Sequence, residues 1–67
     1  MNTKKFFELG LRALANNHIG FAKRYFEKAL LCGHELSVRY YFLLCRTKDK
    51  DLARDIILCA EKWSLST

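Results

Sequence analysis

Three short breaks divide this chain into four stretches, and each break is too short to let the stretches it joins lie anywhere but side by side. The breaks are the Asn17-His18 pair, the glycine at Gly33, and the charged run TKDKD from Thr47 to Asp51. Between them apolar residues recur at the period of an amphipathic helix. Helices joined by a few residues become antiparallel neighbours. The expected fold class is therefore all-α, with four helices forming two antiparallel hairpins in one domain over residues 1–67.

The caps and stripes place the helices. The first is expected from about Thr3 to Asn16, with Asn2 or Thr3 as N-cap and Phe6, Leu9, Gly10, Ala13 and Leu14 facing inward. Asn16 and Asn17 tolerate left-handed backbone and end it. The second runs from about Ile19 to Cys32 on a stripe of Ala22, Tyr25, Phe26, Ala29 and Leu30, with Gly33 at the C′ position. The third spans Leu36 or Ser37 to Arg46, with Ser37 as candidate N-cap and Tyr40, Leu43, Leu44 and Thr47 on one face. The fourth covers about Asp51 to Trp63, carrying Leu52, Ala53, Ile56, Ile57 and Ala60, and either Asp49 or Asp51 can cap it.

Composition supports an ordered helical chain, because proline is absent and 51% of residues are apolar. A chain this short buries only about 60% of the surface its unfolded form exposes, so its core has little to spare. Cys32, Cys45 and Cys59 lie in apolar helical stretches with no CxxC spacing, and are expected to be buried, reduced thiols. Glu8 and Arg12 interrupt the apolar run after Lys4 and Lys5, which argues against a targeting signal, and no run approaches the ~20 residues of a membrane span. A soluble, cytoplasmic protein is the expectation. The net charge of +5 is uneven: residues up to His34 carry six Lys or Arg against two Glu, whereas the rest is nearly balanced.

An internal repeat emerges when Ala22, Phe26 and Ala29 are laid on Ala53, Ile57 and Ala60, since both sets read small, bulky, small at the same spacing. Upstream, Phe6, Leu9 and Gly10 align with Tyr40, Leu43 and Leu44. Gly10 and Ala22 are notches through which two helix backbones approach, Phe26 is the wedge beside them, and Ala29 leaves room for the next helix. Replacing Ala22 or Ala29 by Leu should overpack the hairpin by about 1 to 3 kcal/mol; an unchanged melting temperature for Ala22→Leu would contradict this packing.

The pattern resembles the tetratricopeptide repeat, a helical hairpin of about 34 residues with an aromatic and Leu-Gly in its A helix and Ala, Phe and Ala-Leu in its B helix. Phe6, Leu9, Gly10, Ala22, Phe26, Ala29 and Leu30 carry the match in a first copy over about residues 4–35. The second copy, about 37–66, keeps Tyr40, Leu43, Ala53, Ile57 and Ala60 but has Leu44 in place of the glycine, Thr47 in place of a tyrosine, and a shortened turn. The resemblance implies a stacked superhelix fragment whose A helices line a concave surface. The groove positions it implies are Lys4, Phe7 and Leu11 from the first copy and Val38, Tyr41 and Cys45 from the second. A variant that grips a C-terminal carboxylate is disfavoured, because Phe7, Leu11 and Cys45 stand where polar residues would be expected.

Catalysis has no foothold in the sequence. His18 and His34 are expected to be solvated turn residues, Cys32-x-His34 is not a usual ligand spacing, and nothing orients a nucleophile. No cofactor and no metal are expected. The resemblance implies instead a small protein-binding adaptor or chaperone that holds an apolar helix or peptide of a partner in the A-helix groove. A second copy of the chain could cover the end of the stack through Leu58, Trp63 and Leu65. Two other functions compete. One is association with nucleic acid through Lys4, Lys5, Lys23, Arg24 and Lys28, disfavoured because Glu8 and Glu27 interleave; the other is an immunity or inhibitor role that caps a toxin or enzyme.

Overall fold

A computed structural model describes residues 3–66, with side chains through Trp63. Four α-helices follow one another: α1 (Thr3–Ala15), α2 (Ile19–Leu31), α3 (Glu35–Arg46) and α4 (Lys50–Ser66). Asn2, one of the two N-cap candidates for α1, and the side chain of Leu65 lie outside the described residues.

The first two turns are built alike. Asn17 at φ 61° receives α1 at its C′ position, its N–H donating to the Leu14 carbonyl while the N–H of His18 donates to that of Ala13. Gly33 at φ 92° does the same for α2: its N–H reaches Leu30, and that of His34 reaches Ala29. Both are Schellman closures, in which one left-handed residue satisfies the last carbonyls of a helix and sends the chain back. The third connection works through side chains. Lys50 Nζ donates to the carbonyl of Leu44 near the end of α3, and Asp49 Oδ1 accepts from the Leu52 N–H to cap α4.

His34 rather than Ser37 caps α3. Its Nδ1 accepts from the Ser37 N–H at 3.2 Å and lies 2.8 Å from the Ser37 hydroxyl, which is fully buried. The ring also packs on Phe7 with centroids 4.6 Å apart. The expectation of a solvated turn histidine therefore holds for the exposed His18 and fails for His34, which is half-buried.

The core begins where α1 and α2 meet. An added Cβ at Gly10 would come within 2.6 Å of the Phe26 ring, a distance no packed carbon tolerates. The expected notch and wedge are thus in contact, and α1 and α2 form the most extensive helix pair. Phe26 then meets Phe7 of α1 and Tyr40 of α3, each with ring centroids 5.8 Å away, and Phe7 stacks on Tyr40 at the same separation. Three rings from three helices close the junction between the hairpins; each such pair contributes about 0.5 to 1.5 kcal/mol beyond simple burial. Leu14, Ala22, Ala29, Leu44, Ala53 and Ile57 complete the interior, all without solvent exposure.

The two hairpins differ in tightness. α4 touches α1 about as much as it touches its own partner α3, and both contacts are slight beside that of α1 with α2. Where the first copy has the Gly10 notch, the second has the fully buried Leu44, which offers no such notch. The stripe on α4 is correspondingly narrower than expected: Ala53 and Ile57 are buried, whereas Leu52, Ile56 and Ala60 are exposed. Ala60 is the counterpart of Ala29, which is fully buried in the interior. On α1 the inward face is rotated by one residue, with Phe7, Gly10 and Leu14 buried and Phe6, Leu9 and Ala13 only half-buried.

Tyr40 gives this core a dependence on alkali. Its hydroxyl donates to Glu61 Oε2 at 2.6 Å, tying α3 to α4. Burial pushes the phenol above its ordinary value, and the hydrogen bond to Glu61 and that group's charge push the same way. Tyrosine in an unfolded chain ionises near pH 10. Above that pH the folded state holds a proton that the unfolded state has released, so the contribution is complete below about pH 10 and is lost as pH rises further. Urea midpoints measured between about pH 9 and pH 11 should fall with pH, and less steeply in Tyr40→Phe; identical slopes would contradict this. Tyr41 adds a residual of the same sign, because hydrogen bonding to Cys45 and then to Glu27 raises its phenol as well.

Candidate interaction surfaces

The six expected groove residues differ widely in burial. Phe7 is only 8% exposed and belongs to the aromatic cluster, so it is a core residue rather than part of a groove. The physical reason is its neighbour across the hairpin junction: Tyr40 covers the face that an open concave surface would have left bare. Leu11 and Tyr41 are half-buried against the core, and Val38 is half-buried as well. Tyr41 donates its hydroxyl to Glu27 Oε2 at 3.2 Å. Lys4 and Cys45 are exposed. Beside Tyr41 stands Phe42, 52% exposed, with the Arg46 guanidinium over its ring.

All three cysteines are exposed rather than buried. Cys32 caps α2, while Cys45 and Cys59 take outward positions on α3 and α4, because Leu44 and Ile57 already fill the inward ones. Among the described residues no cluster of three or more His, Cys, Asp or Glu is placed to hold a metal ion. No described helix is long and apolar enough to cross a membrane.

A concave surface does exist, on the outer face of α2. A shallow cavity of about 530 Å³ is lined by Asn17, His18, Ile19, Gly20, Phe21 and Arg24. A second, of about 240 Å³, is lined by Phe21, Arg24, Tyr25 and Lys28. The two share Phe21 and Arg24 and so run together along one helix. Gly20 has open space where a side chain would stand, which widens the first cavity. Phe21 is 60% exposed, and its ring lies 6.1 Å from that of His18. Lys28 sits 5.7 Å from the centroid of Phe6, which holds the ammonium at the far end. No acidic side chain lines either cavity.

This surface had a signal in the sequence. Phe21, Arg24, Tyr25 and Lys28 fall at i, i+3, i+4 and i+7, a helical face of its own. The inward stripe of Ala22, Phe26 and Ala29 accounts for α2 so fully that the basic residues read as solubilising charge, and Phe21 goes unused.

Compared with protein-family models, with curated proteins and with solved structures, the chain matches none.

Proposed function

We propose that the chain is a small non-enzymatic protein-interaction module, an adaptor or chaperone of the tetratricopeptide-like kind, that docks a segment of a partner. The observation that carries this reading is the joined pair of cavities on α2. Phe21, Ile19 and Tyr25 offer apolar contact, and Arg24 and Lys28 offer two cations with no carboxylate among the lining residues. A segment bearing an aromatic or aliphatic side chain next to Asp or Glu fits that chemistry, since Arg presents a planar fork that matches a carboxylate. The A-helix residues that stay at the surface, Lys4, Leu11, Val38, Tyr41 and Cys45, are the competing face. Exposed thiols suit a reducing compartment, and the cytoplasm is the proposed location.

Selection from a displayed random-peptide library tests this. The expected winners are acidic with an apolar residue, bound at least tenfold more weakly by Phe21→Ala and by Arg24→Glu, with circular dichroism unchanged because both side chains are exposed. Winners that lose binding with Tyr41→Asp and not with Phe21→Ala would move the site to the A helices, and a selection without winners would defeat the reading.

One observation favours a second reading. Aromatic and basic side chains alternate along the same α2 face, the arrangement that stacks bases and tracks a phosphate backbone. Fluorescence anisotropy with a labelled single strand should then show affinity falling linearly with salt on logarithmic axes; absence of binding at low salt removes it. An immunity or inhibitor role would use the same surfaces, and pull-down with mass spectrometry distinguishes it by the partner recovered.

A further inference from the structure

α4 is apolar on two sides, about a third of a turn apart. Ala53 and Ile57 point into the core, while Leu52 at 51% exposure, Ile56 at 46%, Cys59 and Trp63 at 69% point to solvent. The outward four are spaced 4, 3 and 4 residues apart and fall within about 60° of arc on a helix of 3.6 residues per turn. That is the a/d seam of a coiled coil. A helix apolar on both sides is ordinarily covered on both, and the repeat makes the same point: Ala60, exposed beside the seam, corresponds to the fully buried Ala29.

We propose that this seam is covered by α4 of a second copy of the chain, packed antiparallel. The commitment to a second copy rests on charge complementarity. When Leu52 is set opposite Trp63 of the second copy, Ile56 falls opposite Cys59 in the same register, and the two-fold axis passes between Ile57 and Leu58. The residues flanking the seam on one side are the exposed Asp55 and Lys62; on the other are Ala60, exposed, and Ala53, which is buried in the core of its own chain. In an antiparallel pair the like flanks meet, so Asp55 of each copy faces Lys62 of the other, twice over. A parallel pair would set Asp55 against Ala60 and lose both charge pairs. Flanking charges of this kind decide orientation. Asp55 engages Arg54 within its own chain at 3.2 Å on one oxygen, Oδ1, at the exposed edge of α4.

The interface differs from the one expected from Leu58, Trp63 and Leu65. Leu58 is half-buried against the core of its own chain, and only Trp63 is common to both. A contact confined to one helix face lies below the roughly 1,200–2,000 Å² of a standard stable complex, so a micromolar dimer is expected.

Sedimentation velocity on the reduced protein from about 1 µM to about 1 mM is the test. The expected result is a concentration-dependent dimer. Ile56→Asp should be monomeric throughout with an unchanged helical signal. Asp55→Lys and Lys62→Asp should each weaken association about tenfold or more, and the double variant Asp55→Lys/Lys62→Asp should restore it, because the pairs re-form with signs exchanged. A monomer at the highest concentration, a dimer that Ile56→Asp leaves intact, or a double variant as weak as the singles would each overturn the proposal.

Discussion

Phe26→Ala should leave the chain largely unfolded at room temperature. Truncating a buried phenylalanine costs about 3 to 5 kcal/mol, and a chain of this length has roughly 3 to 10 kcal/mol of stability in all. Phe26 has no solvent exposure, touches Phe7 and Tyr40, and fills the notch at Gly10, so three helices lose their common contact at once. Thermal unfolding followed by far-ultraviolet circular dichroism should show a midpoint lowered by more than about 12 °C. Coupling to Gly10 gives a sharper check. Gly10→Ala alone should destabilise, since its methyl meets the Phe26 ring, yet in the Phe26→Ala background the same methyl enters vacated space and should be neutral or stabilising. Additive effects of the two substitutions would contradict the contact.

Phe7→Asp should unfold the chain as well, and the manner of its failure separates two pictures of α1. If Phe7 lined an open groove, a carboxylate there would abolish partner binding while leaving the helices intact. Because Phe7 instead stacks between Tyr40, Phe26 and His34, the substitution places a charge among rings and removes three aromatic contacts. An uncompensated buried charge costs several kcal/mol. Loss of the cooperative transition is the expected result, whereas a folded Phe7→Asp protein would return the residue to the surface. Tyr41→Asp serves as the control, since Tyr41 is only half-buried, at the edge of the core, and its hydroxyl bonds to an exposed Glu27; it should remain folded.

What was legible in the sequence is mostly local. The Asn16-Asn17 pair and Gly33 announced left-handed backbone, Asp49 and Asp51 announced a cap that Asp49 supplies, and the spacing of Ala22, Phe26 and Ala29 announced an inward face; each is a property of a few consecutive residues. The rotation of α1 was not legible, because Phe6 and Phe7 are adjacent aromatics and either can lead a helical stripe. Tyr40, arriving from 33 residues downstream, selects Phe7. The exposure of the cysteines was hidden for a similar reason. A thiol among apolar neighbours looks interior until it is known that Leu44 and Ile57 have taken the inward positions. His34 looked like a turn residue and is one, but the same turn delivers its ring onto Phe7 and its Nδ1 to the start of α3.

The amino-acid sequence by itself determined four helices, their boundaries to within a few residues, and the close packing of the first two, because period, caps and small-residue notches act over one or two turns of chain. Only the tertiary structure decided which aromatic of α1 is core, how loosely α4 is held, and where the concave surface lies. Those depend on which side chains from distant segments reach a shared space first. In the second hairpin the buried Leu44 stands where the first has the Gly10 notch, α3 and α4 pack less closely, and Leu52, Ile56 and Trp63 of α4 stay exposed.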